Sequence, residues 1–278
     1  MVVARNVWLL VVLVVSTEAE KYKTRSTERN EWWERHKDDE GGPPAPTTPG
    51  AGTGAVYAAT GSDYLLMARA SARRLRSSQF RIFTNELCTF PQCVHVSVNN
   101  SRVVKISAIM ASPFEYSLFL DTDTAPCRDL DGLFELVGPM LRHYDAMLAL
   151  GRHAMKYDAD YRQAGRPPAF GTLNTGVIFY RKSTTHRLWR RWLDAYVGRG
   201  FKKFYNDQPD LMLVLWDEIF KRDLKLYVLG PHWNMKKWRD DYMTALKPSC
   251  CPPKSGILID HGCQGLDDDH LSVTTVTH

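Results

Sequence analysis

The residues best placed for chemistry are Asp121 and Asp123, in the run Tyr116-Ser117-Leu118-Phe119-Leu120-Asp121-Thr122-Asp123-Thr124. An apolar stretch of strand type ends there in two aspartates one residue apart. In an extended chain, residues i and i+2 point to the same side. Both carboxylates therefore face one point where the strand leaves the core. Two like charges on a small patch repel unless something positive sits between them. A divalent cation, with a phosphate-bearing ligand on its far side, meets that need. The spacing itself recurs at Asp129/Asp131, Asp158/Asp160 and Asp267/Asp269. Only Asp121/Asp123 caps a buried-type strand, and open α/β sheets bind ligands at the carboxyl ends of their strands. A solvated acidic turn is the competing reading of this stretch taken alone.

The elements that must position this pair are legible upstream. Val56 to Thr60 reads as a strand, Gly61-Ser62-Asp63 as a turn with an N-cap candidate, and Tyr64 to Arg76 as a helix with Leu65, Ala68, Ala72 and Leu75 inward. Phe80 to Thr84 and Val94 to Val98 read as strands, and Arg102 to Ala111 as a helix ended by Ser112-Pro113. This β-α-β order predicts an α/β domain with a largely parallel sheet. Thr60 and Asp63 would border the ligand crevice at the end of the first strand; turn and cap chemistry is their other reading.

Downstream, a helix is expected from Leu130 to Val137, a strand from Asp145 to Leu150 and a long polar loop from Met155 to Pro168. Leu173 to Gly176 reads as a polar turn leading into the strand Val177 to Tyr180. Thr184 to Val197 is a helix with Leu188, Trp192 and Leu193 inward. Asn206 or Asp207 caps the next helix, and Pro209 suits its first turn. Leu224 to Leu229 and Ile257 to Gly262 are the last strands, the latter ending at His261.

At 278 residues and 44% hydrophobic, the chain can bury a proper core. A net charge of +5, with both signs spread along the chain, gives no basic stripe and no reason to expect a nucleic-acid partner. Residues 1–19 read as a signal peptide or short signal anchor, with Arg5 before the apolar run Val7 to Val15. That run is shorter than the roughly 20 residues of a membrane span. Either form directs the chain into the secretory pathway, with the Golgi or endoplasmic-reticulum lumen as the expected location. Any membrane contact would come only through that segment. Residues 20–54 are charged and then rich in Gly and Pro, as in a stem or linker, and the tail 266–278 is polar. Six cysteines suit an oxidising compartment, but their pairing stays open and zinc spacing is absent. Asn99-Asn100-Ser101 is a glycosylation triplet.

Four blocks in order carry a resemblance: Ser112-Pro113-Phe114-Glu115 with Leu118 to Thr124, Leu173-Asn174-Thr175-Gly176-Val177, Asn206-Asp207-Gln208, and Ile257-Leu258-Ile259-Asp260-His261-Gly262. Through them residues 55–265 resemble the GT-A nucleotide-sugar glycosyltransferases, nearest to the family-8-like and family-77-like groups. The resemblance implies a Rossmann-like, mostly parallel twisted sheet flanked by helices in a single catalytic domain. It implies a nucleotide-sugar donor, usually a UDP-sugar, a glycan, glycoprotein or glycolipid acceptor, and Mn²⁺ or Mg²⁺. Asp121, Asp123 and His261 would be the metal ligands, with Asp121 also near the donor ribose. A carboxylate and imidazole set suits Mn²⁺ better than Mg²⁺. Read without the resemblance, His261 is an ordinary strand-end histidine.

The resemblance also implies that Lys105 faces the donor diphosphate, although a solvated helix lysine reads equally well. It implies that Asn174, Asp207 and Gln208 line the sugar and steady a positively charged transition state. An amide is a poor nucleophile, so Gln208 stabilises the transition state without a covalent role. Retention of configuration is implied too. Trp233 and Trp238, with Asn234, are candidates for an acceptor platform, with core packing as the alternative. Some relatives carry a lysine just after the metal histidine; here Gly262-Cys263-Gln264-Gly265 stands instead. Two other functions compete. Asp121-Thr122-Asp123-Thr124 fits the signature of haloacid-dehalogenase-like phosphatases, with Asp121 as nucleophile and Asp267 to Asp269 as the late acidic motif. That signature normally opens its domain, however, and here strands precede it. The third reading is a GT-A-like fold that binds without catalysis.

Overall fold

A computed structural model describes residues 52–150, 173–198, 207–236, 251, 256 and 258–261. The N-terminal segment, most of the stem, the loop after Leu150, Asn206, Trp238, Cys250 and the chain beyond His261 lie outside the described residues. The elements are β1 (Thr53–Ala59), α1 (Ser62–Arg74), β2 (Phe80–Thr84), β3 (Cys93–His95), α2 (Ser101–Met110), β4 (Tyr116–Leu120), β5 (Thr124–Pro126), α3 (Leu130–Leu141), β6 (Ala146–Leu150), β7 (Leu173–Arg181), α4 (Lys182–Gly198), α5 (Gln208–Arg222), β8 (Leu226–Leu229), a 3₁₀ turn (Pro231–Trp233), β9 (Met235–Lys236) and β10 (Ile259–His261).

Seven strands form one sheet in the order β3-β2-β1-β4-β7-β6-β8. Among the described residues, β7 alone runs against the others, pairing antiparallel with both β4 and β6. The sheet is mostly parallel, as expected. Alternation along the strands divides the core between its faces. Val56, Phe119, Ile178 and Tyr180 meet α2, α4 and α5 through Val104, Ile109, Trp189, Trp192 and Leu215. Tyr57, Leu118, Val177 and Phe179 meet α1 and α3 through Leu65, Ala68, Leu133 and Val137. A second, small sheet, β5-β10-β9, crosses the C-terminal edge of the large one.

Several sequence-based boundaries shift for physical reasons. Gly54, read as linker, lies inside β1: Thr53 and Gly54 pair with Tyr116 and Ser117, and the Phe114 ring covers the glycine. A Cβ there would stand 2.3 Å from Phe114 Cδ2, so the glycine answers a packing need and marks no flexible joint. Asp207 stands at the N-cap position of α5, as expected, but its backbone is already helical (φ −77°, ψ −20°) and its side chain makes no capping bond. Likewise Gly61, not Ser62 or Asp63, is the N-cap of α1, without a side-chain cap. Leu173 to Gly176 is no turn but the first part of β7. The short β5 and β9 went unforeseen, because two or three residues carry no readable period.

Two disulfides form among the described cysteines, Cys88–Cys93 and Cys127–Cys251. The block Ser112 to Glu115 is structural: Ser112 Oγ lies 2.7 Å from Ser117 Oγ, Phe114 covers Gly54, and the Glu115 carbonyl accepts from the Lys182 N–H at 2.8 Å.

Gly54→Ala should drive a methyl into the Phe114 ring and cost about 1–3 kcal/mol, as overpacking does. Urea unfolding measures it. A change within error would mean that Phe114 moves aside freely.

Candidate metal and sugar-nucleotide site

The C-terminal edge of the parallel strands carries the acidic pair. After Leu120 the chain turns tightly, with the Thr124 N–H (3.1 Å) and hydroxyl (2.7 Å) both donating to the Asp121 carbonyl. That turn presents both carboxylates and starts β5. Strand β10 pairs antiparallel with β5, setting His261 opposite Thr124. Residues far apart in sequence thereby meet. Ligating atoms of Asp121, Asp123 and His261 all lie within 4.8 Å of one another.

His261 is buried and its Nδ1 lies 2.7 Å from Asn234 Oδ1. An amide oxygen only accepts, so Nδ1 carries a hydrogen, and in the neutral ring the lone pair falls on Nε2. That Nε2 stands 3.3 Å from Asp123 Oδ1. Two acceptors so close call for a cation or a proton between them. The set of two carboxylates and one imidazole therefore fits a divalent metal, and Mn²⁺ better than Mg²⁺.

Gly176 keeps this space open. Its carbonyl accepts from the Asp121 N–H at 2.8 Å, tying β7 to the end of β4. A Cβ on it would lie 2.4 Å from His261 Cε1, 2.6 Å from Asp121 Oδ2 and 2.9 Å from Asn174 Oδ1. Those same distances place Asn174 beside the metal cluster, where its Oδ1 accepts from the Gly176 N–H at 2.7 Å.

Behind Asp121 lies Lys105. Its side chain is 6% exposed, and its ammonium reaches Asp121 Oδ1 at 2.9 Å, Thr175 Oγ1 at 3.0 Å and Asp207 Oδ2 at 3.4 Å. Burial pushes the ammonium pKa down, but the charges of Asp121 and Asp207 outweigh it, and the pKa ends above the usual lysine value. An ammonium has three donors; those near Asp121 and Thr175 are at hydrogen-bond distance, whereas Asp207 Oδ2 is an ion-pair contact with no hydrogen bond. Lys105 thus braces the Asp121 and Asp207 carboxylates. Arg102 Nε adds a contact to Asp207 Oδ1 at 3.5 Å. Asp207 is held as a counter-ion, and the buried Gln208 opens α5 next to it.

Thr60 and Asp63 stand at the end of β1, the neighbour of β4 in the sheet, outside the Asp121 cluster. The exposed Asp63 lies in the first turn of α1, where its charge also suits the helix dipole. Of the platform candidates, Trp238 lies outside the described residues. The Trp233 ring meets Phe179 edge-on at 5.3 Å, and Asn234 turns inward to His261. Sequence reading assigned no site role to Gly176, Thr175 or Arg102. The glycine in Asn174-Thr175-Gly176 was the one available signal, since a glycine in a strand marks close approach of another group.

No protein-family model and no curated protein sequence matches the chain. Several solved structures do, and they are glycosyltransferases. The galactosyltransferase LgtC with donor and acceptor sugar analogues is 12% identical over 75% of this chain and 86% of its own, with a TM-score of 0.48. The apo form of mouse xyloside xylosyltransferase 1 is 15% identical over 76% of this chain and 97% of its own, with a TM-score of 0.46. The apo bifunctional glycosyltransferase WbbM is 13% identical over 78% of this chain and 46% of its own, with a TM-score of 0.48. At that level of likeness, the chemistry has to be read from the site's own geometry.

Two substitutions test that geometry. Asn234→Ala should weaken Mn²⁺ binding about 10–100-fold, as loss of a group orienting a ligand does, while Asn234→Asp, which still accepts from Nδ1, should retain most of it. Titration of Mn²⁺ followed by electron paramagnetic resonance reads both. Lys105→Met should lower the stability by about 3–5 kcal/mol by stranding a buried carboxylate. Adding Asp207→Asn should recover part of the loss in guanidinium unfolding; no recovery would show that Asp207 does not depend on Lys105.

Proposed function

We propose that the protein is a metal-dependent glycosyltransferase that moves a sugar from a UDP-sugar to a glycan, glycoprotein or glycolipid acceptor with retention of configuration. The carrying observation is the convergence of Asp121, Asp123 and His261 at the strand ends, their ligating atoms within 4.8 Å of one another. Asp121, Asp123 and His261 would hold Mn²⁺, and that cation would supply Lewis-acid neutralisation of the diphosphate leaving group.

The chain's own groups do the rest. Asn234 keeps the Nε2 lone pair of His261 free, and Lys105 fixes the Asp121 rotamer. The amides of Asn174 and Gln208 are suited to the sugar hydroxyls and to the charge that develops on the ring. Asp207 acts at one remove, through its ion pairs with Lys105 and Arg102. Thr60 and Asp63 border the nucleoside end of the crevice. The paired cysteines suit an oxidising lumen. Together with the apolar N-terminal run, they favour the secretory pathway, in the Golgi or the endoplasmic reticulum.

The test incubates the full chain with a panel of UDP-sugars and Mn²⁺, with and without chelator, and follows UDP release. We expect chelator-sensitive turnover with one donor, and a fall of about 100-fold or more in Asp123→Ala, in line with several kcal/mol of metal stabilisation. Cleavage of a phosphomonoester with no UDP release would overturn the proposal in favour of the phosphatase reading. Donor binding without turnover would do so in favour of a non-catalytic binding protein.

A further inference from the structure

A hollow of about 360 Å³ lies at the far end of the β5–β10 ribbon from His261. It is lined by Arg74, Arg76, Pro126, Cys127, Arg128, Asp129 and Cys251. Its volume is at the lower end of small-ligand pockets, which run to about 300–1,000 Å³. The arginines come from two separate elements. Arg74 ends α1, Arg76 follows its C-cap Leu75, and Arg128 leads into α3. Two fixed points hold these elements together: the Leu130 N–H donates to the Leu75 carbonyl at 2.9 Å, and the Cys127–Cys251 disulfide forms part of the wall. Arginines of two elements are therefore brought to the lining of one hollow, Arg74 half-buried and Arg76 and Arg128 exposed.

Helix stability does not account for all of them. Arg74 sits in the last turn of α1, where a cation suits the dipole. Arg128 has the opposite placement. It lies just before the N-cap of α3, at the positive end of a helix, where a cation is unfavourable. Arg76 adopts a left-handed backbone, φ 48°, which a side chain adopts at a cost. Asp129 is the one carboxylate in the lining, and its Oδ1 accepts from the Gly132 N–H at 2.9 Å as the helix cap. The lining thus carries three arginines and one carboxylate.

We infer that this hollow is a binding site for a sulfate or phosphate ester group on a sugar-sized ligand. A tetrahedral ester presents three terminal oxygens, so guanidinium forks can approach it from both elements at once. The amino end of α3 adds to the field in the same sense. The site works without the metal cluster and without the transfer reaction.

The test is calorimetric titration of the full chain, free of divalent cations, with inorganic phosphate and, separately, inorganic sulfate. Ionic strength is held constant with chloride. Saturable binding of at least one anion is expected. In the double variant Arg76→Gly/Arg128→Ala, affinity should fall at least tenfold. Glycine suits the left-handed position and alanine relieves the helix end, so the unfolding midpoint should hold or rise. Tighter binding of phosphate assigns the natural ligand to phosphate esters, and sulfate binding at equal or greater strength assigns it to sulfate esters. No saturation by millimolar anion, or equal binding by the double variant, overturns the site. A drop in unfolding midpoint with unchanged binding overturns it too, by showing that the arginines serve the fold.

Discussion

Lys105 stands beneath the C-terminal edge of the sheet, 2.9 Å from Asp121 and 3.4 Å from Asp207, in a side chain only 6% exposed. Lys105 and Asp207 are buried, whereas Asp121 is 29% exposed, and burying either of the first two without a counter-ion would cost several kcal/mol. At an effective dielectric of about 20, a contact near 3 Å supplies about 5 kcal/mol of attraction, enough to make the group viable but not to make it a source of stability. What the group yields is position. Asp121 ends β4 and Asp207 precedes α5, so one ammonium fixes the distance between a metal ligand and the helix that presents Gln208. The helix carrying Lys105 is anchored in turn, because the Tyr180 hydroxyl donates to the Ile109 carbonyl at 2.7 Å.

The reversal of β7 explains why the Asn174 block belongs to the site at all. Parallel strands present their carboxyl ends to one edge, and that edge is the crevice. A strand running the other way brings its amino end there instead. Leu120 pairs with Val177, and the next step of the ladder is the bond from the Asp121 N–H to the Gly176 carbonyl. Asn174, Thr175 and Gly176 are therefore delivered by the start of a strand, whereas Thr60 and Asp121 follow the ends of theirs. The same logic repeats in the small sheet, where antiparallel β10 returns His261 to the point where β5 begins.

Direction was the part that the sequence could not show. Hydrophobic period locates β4 and β7 but says nothing of which way β7 runs, so Leu173 to Gly176 reads as a turn before a strand. The candidate metal-binding cluster was legible because Asp121, Asp123 and His261 each sit at the end of an apolar run. Their supports were not legible. Lys105 looks like any helix lysine until three partners surround it, and Asn234 looks like a surface amide beside tryptophan until His261 closes on it. Gly54 misled in the other direction: a glycine beside a Pro/Gly run suggests a flexible joint, and only the Phe114 ring above it shows that the position needs the absence of a side chain. Supports of this kind are long-range contacts, and a local pattern holds no record of them.

His261 is the member of the cluster with the weakest local claim to its place. It ends a strand of three residues, and so short a ladder offers little on its own. Its position rests on what surrounds that strand. The Cys127 N–H donates to the Leu258 carbonyl at 2.9 Å, and the Leu258 N–H donates to the His232 carbonyl at 2.8 Å, so β10 is held on both sides at its start. The Cys127–Cys251 bond then closes a loop with a sequence separation of 124. In a chain-entropy account, a loop of that size removes about 5 kcal/mol of freedom from the unfolded state. A contact between residues this distant would otherwise have to meet that entropy with a few hydrogen bonds. The covalent link and His261 therefore belong to one device. The disulfide brings the returning segment to the end of β5, the ladder sets its register, and Asn234 turns the ring toward Asp123.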